Sequence, residues 1–283
     1  MGNLRDKAML VKFSSSCWTG QKQDRQASKS VEDKFETKGK AGKFLKDLAG
    51  EALDKIRKLQ EQARLFHYKN SLPWEDGGVR LLPSAHYLEY ASKMAKFRDL
   101  HSAEVQTFLS QYDNLLGEAE ERLAGLFKAS DFPDRQRIAN KFFLGTNIWG
   151  VPAASDFRVT EGGIDSDSIR KDIENQITDK LVGAINDLWI RLSELISRVA
   201  ETLSSKDKIF RDSLIDNLRE FVALLPKLNI TGDPSLTEIA ERARIKLATL
   251  DPNNLRKDAT ARLKAAGAAK KLLKDIANFL PVE

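Results

Sequence analysis

The 283-residue chain has a single cysteine, Cys17, so it can form no internal disulfide and cannot supply a zinc-binding cysteine cluster. Its three histidines, His67, His86 and His101, show none of the close pairing with His or Cys that zinc sites use, and structural roles are expected for them. No apolar run approaches the roughly 20 residues that a membrane span needs, and the charged start from Met1 to Lys7 lacks the apolar stretch of a signal peptide. Met1-Gly2 opens like a myristoylation site, yet Asp6 stands where that motif wants Ser or Thr. No membrane partner and a cytoplasmic location are therefore expected. Gly77-Gly78 and Gly162-Gly163 lack the Lys-Ser/Thr of a phosphate loop, which argues against nucleotide binding and leaves no cofactor to propose. Carboxylates such as Glu118, Glu120 and Glu121, or Asp165 and Asp167, fall on exposed helix positions or at a helix start. The macrodipole favours acids at a helix start, so capping accounts for them better than acid–base catalysis. No repeat of fixed period is present.

What the chain does have is helical periodicity. From Ser166 to Ser204, Ile169, Ile173, Ile177, Leu181, Ile185, Leu188, Leu192, Leu195, Val199 and Leu203 recur every three or four residues and define one apolar helix face. At about 1.5 Å per residue this spine is roughly 58 Å long, and other segments must cover its stripe. With 41% hydrophobic residues the chain has enough apolar material for a sizeable core.

Charge is unevenly spread. Met1 to Gly50 holds 11 Lys+Arg against 6 Asp+Glu, and Arg256 to Asp275 holds seven basic residues against two acidic ones, while the rest is net acidic. Basic ends fit either a solvated surface or an anionic partner such as nucleic acid.

In chain order, residues 1–20 contain a strand from Met9 to Trp18, closed by Thr19-Gly20. Residues 21–43, highly charged and carrying Gly39 and Gly42, read as a flexible basic connection. Residues 44–127 form a first helical arm. One helix starts at Phe44 and runs to His67 or Tyr68, and a second starts at Ser84 and runs to Leu126 at near-heptad spacing, with a kink near Asp113 or Gly117. Between them, residues 70–84 carry Pro73, Gly77-Gly78 and Pro83 yet stay too apolar to lie in solvent, so they form an ordered, packed loop. Residues 128–165 hold a short helix within Asp131 to Asn140 and two strands, near Phe142 to Ile148 and Phe157 to Thr160. Residues 166–225 are the spine and a return helix ending at Pro226, and 226–283 are basic C-terminal helices. The expected fold is mainly α: an elongated long-helix hairpin or bundle pairing the spine with the second helix, with a small β head built from the N-terminal strand and residues 140–160.

No cluster dictates a chemistry. Trp74, Glu75, Asp76, Arg80 and His86, with Asp156 and Arg158, are the strongest local candidates, either as an interaction surface or as salt bridges locking a loop onto helices. Candidate phosphate contacts are Lys38, Lys40, Lys43 and Lys46 around the glycines, and Lys264, Lys270, Lys271 and Lys274 on the last helix. No segment pairs Arg with Asn or Gln as a groove-reading element, so nucleic-acid binding would be tolerant of sequence.

The stretches FSSSCWTGQKQD (Phe13 to Asp24), ARLFHYKNSLPWEDGGVRLLPSAHYLEY (Ala63 to Tyr90), VPAASDFRV (Val151 to Val159) and DLWIRL (Asp187 to Leu192) resemble a phage- and plasmid-borne bacterial family of unknown function. The resemblance runs from the first strand to about Leu225. It implies a neighbourhood of cobalt-chelatase-like AAA+ ATPases and recombination or replication proteins, and brings no catalytic residues with it. The combined expectation is a non-enzymatic, self-associating helical adaptor for a DNA-processing or AAA+ ATPase assembly. A sequence-tolerant nucleic-acid binder is the alternative, and a nuclease or other hydrolase with an unrecognised site a further one.

Overall fold

The computed structural model describes residues 4–38, 41–152, 166–205 and 210–280. The chain is mainly helical with a small antiparallel sheet, and it divides into two compact units. The first comprises Met1–Lys12, Tyr68–Tyr90 and Ile148–Glu283, and the second Phe13–His67 and Ala91–Asn147.

The spine is a single 39-residue helix, Ser166–Ser204 (α7). In the first unit its stripe is half-buried at Ile177, Leu181 and Ile185 and becomes fully buried at Leu188, Leu192, Ile196, Val199 and Leu203, each 1% exposed or less. Its partners are α8 (Ser213–Leu228), α9 (Pro234–Ala243) and above all α11 (Ala259–Ile276), joined by α10 (Pro252–Lys257). α11 turns Ala265, Ala266, Ala269, Leu272 and Ile276 inward, and the alanines let the two backbones come close. The expected pairing of the spine with the second long helix is therefore corrected, because the spine's stripe is filled by C-terminal helices. The end of α7 is capped from α11, where the Arg262 guanidinium donates to the carbonyls of Thr202 (3.0 Å), Leu203 (3.2 Å) and Ser205. α8 continues two residues past Pro226, and fully buried Leu228 anchors that last turn.

The sheet has the order β4-β5-β1-β6, with β1 Ala8–Ser16 directly after the short helix α1 (Leu4–Lys7), β4 Leu72–Pro73, β5 Val79–Pro83 and β6 Phe143–Gly150. β1 pairs antiparallel with β5 from Ala8↔Pro83 to Lys12↔Val79. The expected strands at the N-terminus and near Phe142 to Ile148 are present, and that near Phe157 to Thr160 lies outside the described residues. The segment 70–84, expected as a loop, instead supplies a hairpin whose turn closes through Glu75 N–H to the Val79 carbonyl at 3.1 Å. Pro73 sits on the edge strand, where its missing N–H costs no ladder bond.

The second unit holds β2 (Gln21–Gln23) paired with β3 (Leu45–Asp47), and the helices α2 (Arg25–Lys34), α3 (Asp54–Lys69), α4 (Tyr87–Ser110), α5 (Tyr112–Leu123) and α6 (Arg135–Ala139); the unit boundaries fall within β1, α3, α4 and β6. The flexible connection expected at 21–43 is thus corrected over Gln21–Gln23 and Arg25–Lys34, which form a strand and a helix. The helix expected from Phe44 starts only at Asp54, and the long second helix breaks at Gln111, close to the expected kink. The core collects Trp18, Leu53, Ile56, Val105, Phe108, Tyr112, Leu115, Phe132 and Ile138. Gly20 (φ +63) is needed at the end of the strand region, because a Cβ there would stand 2.5 Å from the Ala49 Cβ.

One buried side chain ties this unit together. The Gln60 amide Nε2 donates to the Ser16 carbonyl at 2.7 Å and to His101 Nε2 at 3.0 Å, with the Phe143 carbonyl at 3.3 Å. The two carbonyls fix the amide orientation with its nitrogen inward. Because an amide nitrogen only donates, its two N–H groups are shared among three acceptors, His101 Nε2 accepts and the imidazole is neutral. Burial holds its pKa below the ordinary 6.5. The unfolded chain then binds more protons as pH falls below 6.5, so this group's contribution is complete above that value and is lost beneath it. Urea unfolding should accordingly give a midpoint that declines below pH 6.5, with a weaker decline in His101→Gln. Gln60→Leu, which strands these acceptors, should cost about 1–3 kcal/mol.

Candidate functional site

In the first unit the hairpin candidates are absorbed into packing. Trp74 is buried, with the Lys180 ammonium 5.4 Å from its ring centroid, and the same ammonium pairs with Glu75 at 2.7 Å. Arg80 is buried beneath the strand. Its Nε donates to Ser71 Oγ at 2.8 Å and its Nη2 to the Ser71 carbonyl at 2.7 Å, while the guanidinium lies 4.7 Å from the Tyr68 ring. Arg191 donates to the carbonyls of Lys69 (3.3 Å) and Ser71 (3.1 Å) and pairs with Asp187 at 2.7 Å. Two cations therefore converge on the carbonyls that follow α3, where a helix end attracts positive charge.

Burial, and secondarily the like charge of Arg191, push Arg80 down to about 10, which leaves it protonated at neutral pH. Burial raises Asp187 in spite of Arg191. His86 Nε2 lies 2.8 Å from Asn70 Oδ1, and burial lowers its pKa although Glu89 stands 3.5 Å from Nδ1. Only Asp76, in the turn, is an exposed charge without a role in this lock; Asp156 and Arg158 lie outside the described residues. The arrangement holds a hairpin against α7 and gathers no reacting groups. Arg80→Ala should cost about 3 kcal/mol in chemical denaturation, against little change for Asp76→Asn.

The basic candidates separate. Lys46 is 2% exposed and its three donors are all engaged: Asp24 at 3.1 Å, Asp131 at 2.5 Å and the Leu126 carbonyl at 3.0 Å. Burial opposes its charge, but the carboxylates win and its pKa is raised, while Asp24, also bonded by the Ala27 N–H, is lowered. Its assignment as a phosphate contact is therefore corrected, since no N–H remains to give. Lys38 and Lys43 are exposed, and Lys40 lies outside the described residues. Lys264, Lys270, Lys271 and Lys274 are all exposed, on the face of α11 opposite its buried stripe. Lys46→Ala should lower the unfolding midpoint far more than Lys43→Ala, because only the former strands partners inside the unit.

A feature of the second unit was not legible in the sequence. Asp24 caps α2 by accepting from the Ala27 N–H at 2.9 Å. The chain returns beside this helix, held by Asp24 N–H to the Phe44 carbonyl (3.0 Å) and Phe44 N–H to Ser28 Oγ (2.9 Å). Two clefts open between α2 and residues 41–44. One, of about 690 Å³, is lined by Arg25, Lys29, Glu32 and Lys43 among others; the second, of about 320 Å³, shares Glu32 and Lys43 with it and adds the apolar Val31, Phe35 and Phe44. Phe35 is 69% and Val31 49% exposed. α2 ends in a Schellman motif, with Glu36 N–H bonded to the Asp33 carbonyl and Thr37 N–H to the Glu32 carbonyl. The left-handed position falls on Glu36 (φ 46) and not on a glycine. The signal in the sequence was Asp24 as a cap followed by Val31 and Phe35 four residues apart; the surrounding charge and the glycines masked it.

Among the described residues no group of three His, Cys, Asp or Glu side chains is gathered as a metal site, and no helix is long and apolar enough to cross a membrane. Cys17 is half-buried, and burial raises its thiol pKa, which works against thiolate reactivity. Comparisons with protein-family models, curated proteins and solved structures find no match.

Proposed function

We propose that this chain is a helical interaction protein without chemistry of its own: a self-associating cytoplasmic adaptor for a DNA-processing or AAA+ ATPase assembly of a phage or other mobile element. The observation that supports it is the pair of clefts beside α2, where the exposed apolar side chains of Val31 and Phe35 gather next to a basic rim. The assembly is what the sequence resemblance implies. Co-purification with the AAA+ protein encoded beside it, in ATP and ADP states, tests the adaptor role. Binding with altered ATP hydrolysis is the expected outcome, and failure in both states removes it. Light scattering at micromolar concentration should exceed the 31.8 kDa of one chain if the protein self-associates.

A second reading, sequence-tolerant nucleic-acid binding, draws on the four exposed lysines of α11. Neutralising four phosphates would give a slope of about −3.6 for log K against log salt on duplex DNA. Replacing the four lysines should then abolish binding and leave the fold intact. Metal-dependent DNA turnover lost on Asp76→Asn would favour a hydrolase instead.

A further inference from the structure

We infer that the paired clefts beside α2 dock an acidic, amphipathic peptide segment of a partner protein. The inference rests on the adaptor reading and names the chemistry of its partner. Ser28, Val31, Glu32 and Phe35 follow i, i+3, i+4, i+7 spacing and line the apolar cleft over about 10 Å, two helical turns. That is the length over which an amphipathic helix sets two or three anchors into a groove. The apolar cleft falls at the lower end of the roughly 300–1,000 Å³ range of binding pockets and has an apolar floor, so it suits buried side chains of a peptide.

The adjoining cleft carries Arg25, Lys29 and Lys43 against Glu32 alone, a net positive rim for carboxylates on the segment's other face. A single-stranded nucleic acid would need flat, open ring faces for its bases. Here Phe35 is the one wide-open ring at 69% exposure, since Val31 has no ring and Phe44 is only 38% exposed. The neighbouring Lys46 is engaged with Asp24 and Asp131 and does not add to the rim.

The test selects binders from a random peptide library displayed on phage against the full chain, then measures the enriched peptides by fluorescence anisotropy. The expected consensus has two apolar residues three or four apart with at least two acidic ones. Affinity should fall at least tenfold in Phe35→Ala and in Lys29→Glu with Lys43→Glu, weaken with salt, and stay unchanged in Lys270→Glu with Lys271→Glu on α11. Phe35 is exposed, so its replacement should leave circular dichroism unchanged, and the charge-reversed pair does not depend on packing. Four results would overturn the inference: a consensus without acidic residues, peptide binding indifferent to the cleft variants, oligo-dT binding that depends on Phe35 and exceeds that of the peptides, or cleft variants that dissociate a self-assembled form in sedimentation. If the AAA+ protein still co-purifies with the cleft variants, the adaptor role stands without this groove. If peptides select the groove and the ATPase never binds, the groove stands and that partner falls.

Discussion

A helix of 39 residues with one uninterrupted apolar stripe cannot remain in water, and the first unit is built to cover it. Leu188, Leu192, Ile196, Val199 and Leu203 are each worth roughly 1.5–3 kcal/mol when fully buried, so covering them outweighs any local preference of the segments that do it. α8 and α11 supply the cover. α11 meets the stripe with alanines, which brings the backbones close enough for Arg262 to reach the carbonyls at the spine's end. On the spine's other side Arg191 and Lys180 reach to the β4–β5 hairpin and fix it through backbone carbonyls and through Trp74 and Glu75. Packing thus sets the positions, and the long cations then serve backbone groups that packing has removed from water.

The spine was legible residue by residue because its period of 3.6 holds over its whole length, and a sustained period is a property of the segment alone. Its partner was not. Both the second long helix and the last helix carry apolar faces, and periodicity does not say which stripe covers which. The outcome sends Val105, Phe108 and Tyr112 into the second unit's core and leaves the spine to α11. The hairpin at 70–84 was legible as ordered, through its apolar residues between prolines and glycines, but β4 has two residues and no readable alternation. The stretches Asn70 to Arg80 and Asp187 to Leu192 meet in space through Ser71, Arg80, Asp187 and Arg191.

Charge was the least legible quantity. Lys43 and Lys46 are the same residue type three positions apart in the same basic run, yet one lines an open cleft and the other sits among two carboxylates and a carbonyl. The difference is made by Asp131, 85 residues away, which no local pattern reveals. Net charge bounds the class of partner a surface can attract; it cannot say which cations are free to attract it.

α2 joins these themes at the place where local rules are broken. A helix end that bonds as a Schellman motif normally puts glycine at its left-handed position, since a side chain there is strained by of order 1 kcal/mol. Here that residue is Glu36, and the residue before it, Phe35, points an aromatic ring largely into water. Neither choice improves the packing of the unit, whose core lies with Trp18, Phe108 and Tyr112. Natural sequences break local rules where a site requires it, and Phe35, with Thr37 on the other side of Glu36, lines the apolar cleft beside the basic one. Lys46, held between Asp24 and Asp131, keeps the base of α2 in place, so a strained, exposed end projects from a fixed one.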